Sequence, residues 1–440
     1  MAERYLESAR RLVTLGFVAL RMRYALARGL LLVFVVVRSP RGFAQQTWTW
    51  QQIREKFETA NPSLLAGVLN VDEARAMETT AFLRPNPELT TSLDQIDLFS
   101  THPYRPIGGL LPFVAASYLH EREHKRELRL ESAKGGTAIA SSQQEDLTRS
   151  LEFTLRNAFI QALHAKAVLE LSNENLAYYD QLLGLSRERL KAGDIAQVDL
   201  MRLELQRVQY ESDVVTSQTN LRTAKIQLLS LLNDRTSVEQ FDITGAFDFS
   251  EAMLSLDEYR RVAVASRPDL RAAAQAIDKA RTDHRLAFAN GSADPTFSAD
   301  AARNPPQFSA YIGFSMTIPL RIFDRNQGEK ERTEIDITRT QRLQEAAAAQ
   351  VYSDVDSAYV TLESGLDLLR PYKAKYLDQA GQVRSTIAFA YQNGGASLLD
   401  FLNAQNDYRS IRLNYLNLVG SWLTAASQLN LAVGREVINP

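Results

Sequence analysis

Phe308-Ser309-Ala310-Tyr311-Ile312-Gly313-Phe314-Ser315-Met316-Thr317-Ile318-Pro319-Leu320 decides how this chain must be read. Its even-numbered residues are apolar and its odd ones mainly small or polar, which is the period of a strand with two unlike faces. Pro295 to Arg303 offers the partner strand across Asn304-Pro305-Pro306. A lone two-stranded hairpin with an exposed apolar face has bare edges and is not stable in water. If that face meets lipid, the sheet must close into a barrel.

A second hairpin is expected at 87–119, from Pro87 to Phe99 and Ile107 to Leu119 around His102-Pro103-Tyr104-Arg105-Pro106, with a weaker alternation. Four strands per chain cannot close a barrel, because barrels start at about eight. The protein must then assemble, and three copies would give twelve strands.

Around the hairpins the chain is written twice. Asn61-Pro62-Ser63-Leu64-Leu65-Ala66 returns as Arg267-Pro268-Asp269-Leu270-Arg271-Ala272. Gly193 and Asp199-Leu200 return as Gly394 and Asp400-Phe401, 201 residues on. The first repeat is expected at 45–245 and the second at 255–440. Each opens with short helices, at 49–60 and 63–82, then at 256–265 and 268–289. A hairpin follows, the second at about 295–323, and then two long helices, about 126–192 and 194–233, then about 325–393 and 396–434.

Those helices carry a seven-residue rhythm. Phe401, Ala404, Tyr408, Ile411, Tyr415, Leu418, Trp422, Ala425 and Leu429 alternate by three and four. Leu155, Ala162, Leu169, Leu176, Leu183 and Leu190 fall seven apart. This period specifies left-handed coiled-coil packing. The fold class expected is mainly α with a β-barrel part, the long helices packed as coiled coils.

Charge separates the N-terminus from the rest. Residues 1–44 hold eight Arg, no Lys and two Glu, so the remainder carries −8 of the net −2. Leu30 to Val37 is an apolar run behind Arg23 and Arg28, followed by Gly42-Phe43-Ala44, which reads as a signal peptide starting at Met1 or Met22. No stretch reaches 18 consecutive apolar residues, so no transmembrane helix is expected. With no Cys, there is no disulfide framework or thiolate metal site. The charge balance gives no reason to expect a nucleic-acid partner. His120-Glu121-Arg122-Glu123-His124 matches H-E-x-x-H, but that motif binds zinc from a helix. Here it follows a strand pattern and reads as a charged junction. No G-x-S-x-G or phosphate-loop glycine spacing occurs, so no catalytic residue, metal site or cofactor is assigned and the chain is read as a non-enzyme.

Several strings sharpen this reading. They are Ala81 with Arg84-Pro85-Asn86-Pro87, then Ile318-Pro319-Leu320-Arg321-Ile322-Phe323-Asp324-Arg325-Asn326-Gln327-Gly328, then Tyr391 to Gln405 with Tyr408. With the repeats, hairpins and heptads, they resemble the TolC-type outer membrane factor family across essentially the whole mature chain. Phe323 to Gly328 is similar to the cobalt–zinc–cadmium heavy-metal branch. The chain departs from that branch at Glu121 to Arg126, where only Lys125-Arg126 of a Gly-Gly-Lys-Arg string remains.

The resemblance implies an outer-membrane trimer whose helical tunnel crosses the periplasm, partnered by outer-membrane lipid, a periplasmic adaptor and an inner-membrane pump of the resistance-nodulation-division type. It implies a passive efflux conduit for heavy-metal cations or small toxic compounds. Tyr391, Asp400 and Asn403 would form the periplasmic gate. Lys191, Gly193, Asp194, Gln392, Gly394 and Ser397 would be the tips that meet the adaptor. The alternatives are a periplasmic adaptor itself, which would show one hairpin beside β-rich sequence, or a secreted coiled-coil tether, which would lack the Phe308–Leu320 alternation.

Overall fold

In the computed structural model the described residues are 46–94, 96, 110–304 and 308–438. The expected leader, 1–44, and the two hairpin turns, 97–109 and 305–307, lie outside them. The described residues fall into two units. The smaller holds strand β1 (Gln46–Trp48), which pairs with β4 (Phe241–Ile243), and Trp48 lies 6.5 Å from Phe241. Neither short strand was legible in the sequence.

The larger unit contains both repeats. In the first, α1 (Trp50–Ala60) starts at a Thr49 capping box, and α2 (Pro62–Phe82) starts at Asn61 with Pro62 in its first turn. Strands β2 (Glu88–Asp94) and β3 (Leu111–Leu119) follow, then α3 (Lys125–Ala192) and α4 (Gln197–Leu231). The second repeat runs through α5 (Leu256–Ser266), α6 (Pro268–Asn290), β5 (Thr296–Asn304) and β6 (Phe308–Thr317). It ends with α7 (Gln327–Pro371), α8 (Leu377–Gln392) and α9 (Leu398–Val433). At 68 residues α3 runs for about 100 Å.

Two expectations need correction. The strand ends at Thr317, because Pro319 has no N–H to give a ladder. The single helix expected at 325–393 is broken. Pro371 cannot donate to the carbonyl one turn back, and the backbone widens into a π turn over Tyr372–Tyr376, where the Leu377 amide reaches the Tyr372 carbonyl. Lys373 anchors this turn on Asp248 at 2.8 Å and over the Phe249 ring.

The four long strands form one antiparallel sheet in the order β2-β3-β5-β6. Its register aligns Leu89 with Ala116, Ala116 with Ala299, and Ala299 with Phe314. One face therefore carries Leu89 and Leu93, Val114, Phe297, Ile312, Phe314 and Met316, all exposed, Phe314 to 83%. The other carries Thr90 and Ser92, Ser117, Ser298 and Asp300, Ser315 and Thr317. Among the described residues nothing pairs with the outer edges of β2 and β6.

Helices continue this order. α2 packs on α3, α3 on α6 and α6 on α7; farther along, α4 packs on α3, α3 on α9 and α9 on α8. The heptad seam of α9 is buried at Phe401, Ala404, Tyr408, Trp422, Ala425 and Leu429. In α4 the positions that match Tyr408 and Leu418 of the other repeat are polar, and both are satisfied: Arg207 pairs with Asp180 and Glu211, and Ser217 meets Ser172 at 3.0 Å.

Strand and helix are joined by a buried ion pair. Lys125 Nζ donates to Asp294 at 2.6 Å and to the Ser292 carbonyl, while the Arg122 amide donates to the same carboxylate. Burial opposes ionisation of Asp294, but these donors prevail and hold its carboxyl below the usual range.

Candidate functional site

Far from the sheet, α3 and α8 end in matching turns. Gly193 and Gly394 have φ of 87° and 77°. Nothing lies within 4 Å of a Cβ added at either, so the turn geometry, not space, demands glycine. The Asp194 amide closes back on the Arg189 carbonyl at 2.9 Å and the Gly395 amide on that of Ala390 at 2.8 Å. Lys191, Gly193, Asp194, Gln392, Gly394 and Ser397 are all exposed there.

Ser397 starts α9 and forms a capping box with Asp400. The Ser397 hydroxyl and amide donate to Asp400 Oδ2 at 2.7 and 3.2 Å, and the Asp400 amide donates back to the hydroxyl. The Ser397 hydroxyl, then its amide, hold the Asp400 carboxyl below its ordinary value. Asn403 follows on the same helix face, and Asp407 one turn further; all three are exposed. Sequence reading missed Asp407, though its spacing of seven from Asp400 was the available signal.

Tyr391 is placed differently. It is 6% exposed, stacks on Phe401 at 5.1 Å and packs with Tyr179, Leu183, Leu203 and Tyr210. Burial pushes its hydroxyl pKa up, and among the described residues that hydroxyl has no hydrogen-bond partner. Arg189 lies over its ring and donates to its carbonyl at 3.1 Å. Tyr391 thus joins the candidate gate by packing, not through its hydroxyl.

Cationic side chains that the sequence did not flag tie α8/α9 to α3/α4. Arg384 lies 3.7 Å from the Tyr408 ring centroid and 4.6 Å from that of Tyr178. Arg409 pairs with Asp213 at 2.6 Å, and Arg412 faces Glu174 of α3 at 3.6 Å. Arginines beside heptad tyrosines were the only trace of these ties in the sequence.

His120 and His124 do not share a helix. His124 has φ 54° and is the residue before α3, and Glu121 is held by Arg129 at 2.9 Å. Among the described residues no group of three or more His, Asp or Glu is placed to hold a metal ion.

A four-stranded sheet with one apolar face and bare edges, continued by paired long helices in the same order, defines a subunit of a membrane β-barrel prolonged by a helical tunnel. Residues 260–435 match the family of outer membrane efflux proteins. The chain is 23% identical over 384 residues to the cobalt-zinc-cadmium resistance protein CzcC of Cupriavidus metallidurans, covering 86% of this chain and 87% of that protein. The fold is similar to that of the transmembrane channel CusC, with a TM-score of 0.73, 19% identity and 90% and 97% of the two chains covered. It is also similar to the open state of the Neisseria gonorrhoeae outer membrane channel MtrE, with a TM-score of 0.71, 16% identity and 88% and 89% covered. The chain is thus similar to the outer membrane efflux proteins over its second repeat and shares the fold of these outer membrane channels.

Proposed function

We propose that three copies of this chain form an outer-membrane channel that serves as the exit duct of a tripartite efflux system. The observation that carries this is the sheet register, which gathers apolar residues of both repeats onto one face while the outer edges of β2 and β6 have no partner strand among the described residues. Such a sheet is satisfied by lipid on that face and by further copies at its edges. An adaptor or a tether has no use for it.

In this reading the Gly193 and Gly394 turns are the periplasmic tips, with Lys191, Asp194, Gln392 and Ser397 offered to an adaptor. Asp400, Asn403 and Asp407 line the entrance, and the Tyr391–Phe401 stack with the Arg384 and Arg409 ties keeps α8/α9 against α3/α4. Similarity to CzcC favours heavy-metal cations as cargo, delivered by an inner-membrane pump. Cross-linking of the outer-membrane fraction, with N-terminal sequencing, tests the assembly: a trimer starting near Gln45 is expected. A soluble monomer retaining residues 1–44 overturns it.

A further inference from the structure

The row of outward residues on β6 does not stop with the strand. Ile318 and Leu320 continue the exposed series of Ile312, Phe314 and Met316, and Leu320 is 80% exposed. Beyond it the chain turns and shows Ile322 and Phe323, the latter 90% exposed and the most exposed of the large apolar side chains described. Large apolar groups in water are costly, and a cluster of them on a loop marks a surface that meets something apolar.

The loop is held in this form by its own polar residues. The Arg325 amide donates to Gln327 Oε1 at 2.8 Å, and Gln327 Nε2 donates to the Phe323 carbonyl at 3.1 Å. The Asn326 amide donates to Asp324 at 2.9 Å, and the Asn326 side chain ties the loop to the Ala287 carbonyl on α6 at 2.7 Å. Most of the motif from Phe323 to Gln327 is thus spent fixing a loop whose apolar side chains are presented outward. Arg321 and Arg325 flank them. Arg321 faces Asp324 at a loose 3.7 Å, and Arg325 gives its Nε to the Arg321 carbonyl. A guanidinium has five donors, so both forks retain capacity for a bidentate acceptor.

Depth follows from strand geometry. Ten residues of strand tilted by about 40° climb roughly 25 Å, the height of the apolar band of a membrane barrel. If Ala310 lies near the outer margin of that band, Leu320 lies at its periplasmic margin and Phe323 just past it, among headgroups.

We propose that the Leu320–Arg325 loop is an interfacial anchor, with Leu320, Ile322 and Phe323 seated in the periplasmic leaflet and Arg321 and Arg325 holding phospholipid phosphates. This rests on the outer-membrane reading above, and its apolar surface is continuous with the lipid-facing row of β6.

The test places Trp at 323 or at 314 in the trimer reconstituted into phosphatidylethanolamine–phosphatidylglycerol vesicles, with fluorescence read against wild type. Quenching of both Phe323→Trp and Phe314→Trp by brominated acyl chains is expected. In Phe323→Trp, brominated phosphatidylglycerol should quench at a several-fold lower mole fraction than brominated phosphatidylcholine, by about fivefold per arginine. Arg321→Gln with Arg325→Gln should abolish that preference, and inorganic phosphate should not compete. Quenching at 314 with only acrylamide quenching at 323 puts the loop in the aqueous lumen and overturns the anchor while the membrane reading stands. Quenching at 314 with neither agent acting at 323 shows a neighbouring copy covering the loop and also overturns it. Lipid quenching at neither position overturns the membrane reading itself.

Discussion

The guanidinium of Arg267 donates to the carbonyl of Ala432, 165 residues further along the chain, at 3.2 Å. Both residues have counterparts in the first repeat, where Asn61 donates to the carbonyl of Leu231 at 2.9 Å. In each repeat the residue that precedes the proline of a short helix locks the end of the second long helix. Arg267 adds ion pairs to Asp269 and Asp354, at 2.6 and 2.8 Å, so the second lock is the stronger.

Arg267→Ala should therefore destabilise the chain by about 3 kcal/mol, toward the lower end for a buried pair because both carboxylates keep some hydration. Asn61→Ala loses a cap and one hydrogen bond, about 1–2 kcal/mol. Thermal melts followed by circular dichroism in detergent should rank them in that order. The reverse ranking would mean the repeats are not locked alike.

The repeat was legible because its marks are local: a proline in the first helical turn, a glycine at positive φ, and heptad leucines. The second hairpin was legible for the same reason, its apolar residues falling strictly on alternate positions. In β3 the sequence Phe113-Val114-Ala115-Ala116 puts apolar or small residues on both faces, so alternation fades although the strand forms. The π turn stayed hidden because Leu362, Leu366 and Leu369 keep the helical rhythm up to Pro371. The ties from Arg384 to Tyr178 and from Arg409 to Asp213 span more than 190 residues each, which no local pattern encodes.

Face assignment in the sheet gives a paired test. Phe314→Arg puts a cation on the apolar face and should cost about 2–4 kcal/mol if the residue lies at the bilayer midplane. Ser315→Arg, on the opposite face, should cost far less. Equal loss of assembled trimer for both would refute the register.

The Lys125–Asp294 pair predicts an acid limit. The folded carboxyl of Asp294 lies below its unfolded value of about 4. Its contribution is therefore present above that value and is lost as pH falls through the lower folded one. Melting temperature should drop in this acid window, with a smaller drop in Asp294→Asn. Lys125→Met leaves a poorly hydrated carboxylate without its cation and should cost about 3–5 kcal/mol at neutral pH. An unchanged acid profile in Asp294→Asn would assign the limit to other carboxylates.

The entrance offers the sharpest separation of cap from gate. Within one chain, the Ser397 hydroxyl and amide keep Asp400 ionised. Three copies around one axis would repel one another and push the same carboxyls upward, while concentrating cations at the mouth. These effects oppose each other, and Ser397 sets their balance. Asp400→Asn keeps an acceptor for the Ser397 amide but removes the charge, so it should abolish block by multivalent cations and change conductance while trimer yield stays intact. Ser397→Ala removes the hydroxyl that favours the ionised form. Cation block should survive at pH 7 but disappear at a higher pH than in wild type as the solution is acidified. Asp407→Asn, seven residues along the same face, should reduce block further in the Ser397→Ala background. Planar-bilayer recordings across pH decide it, since currents from Asp400→Asn identical to wild type would place the constriction elsewhere and leave the capping box as the whole role of Asp400.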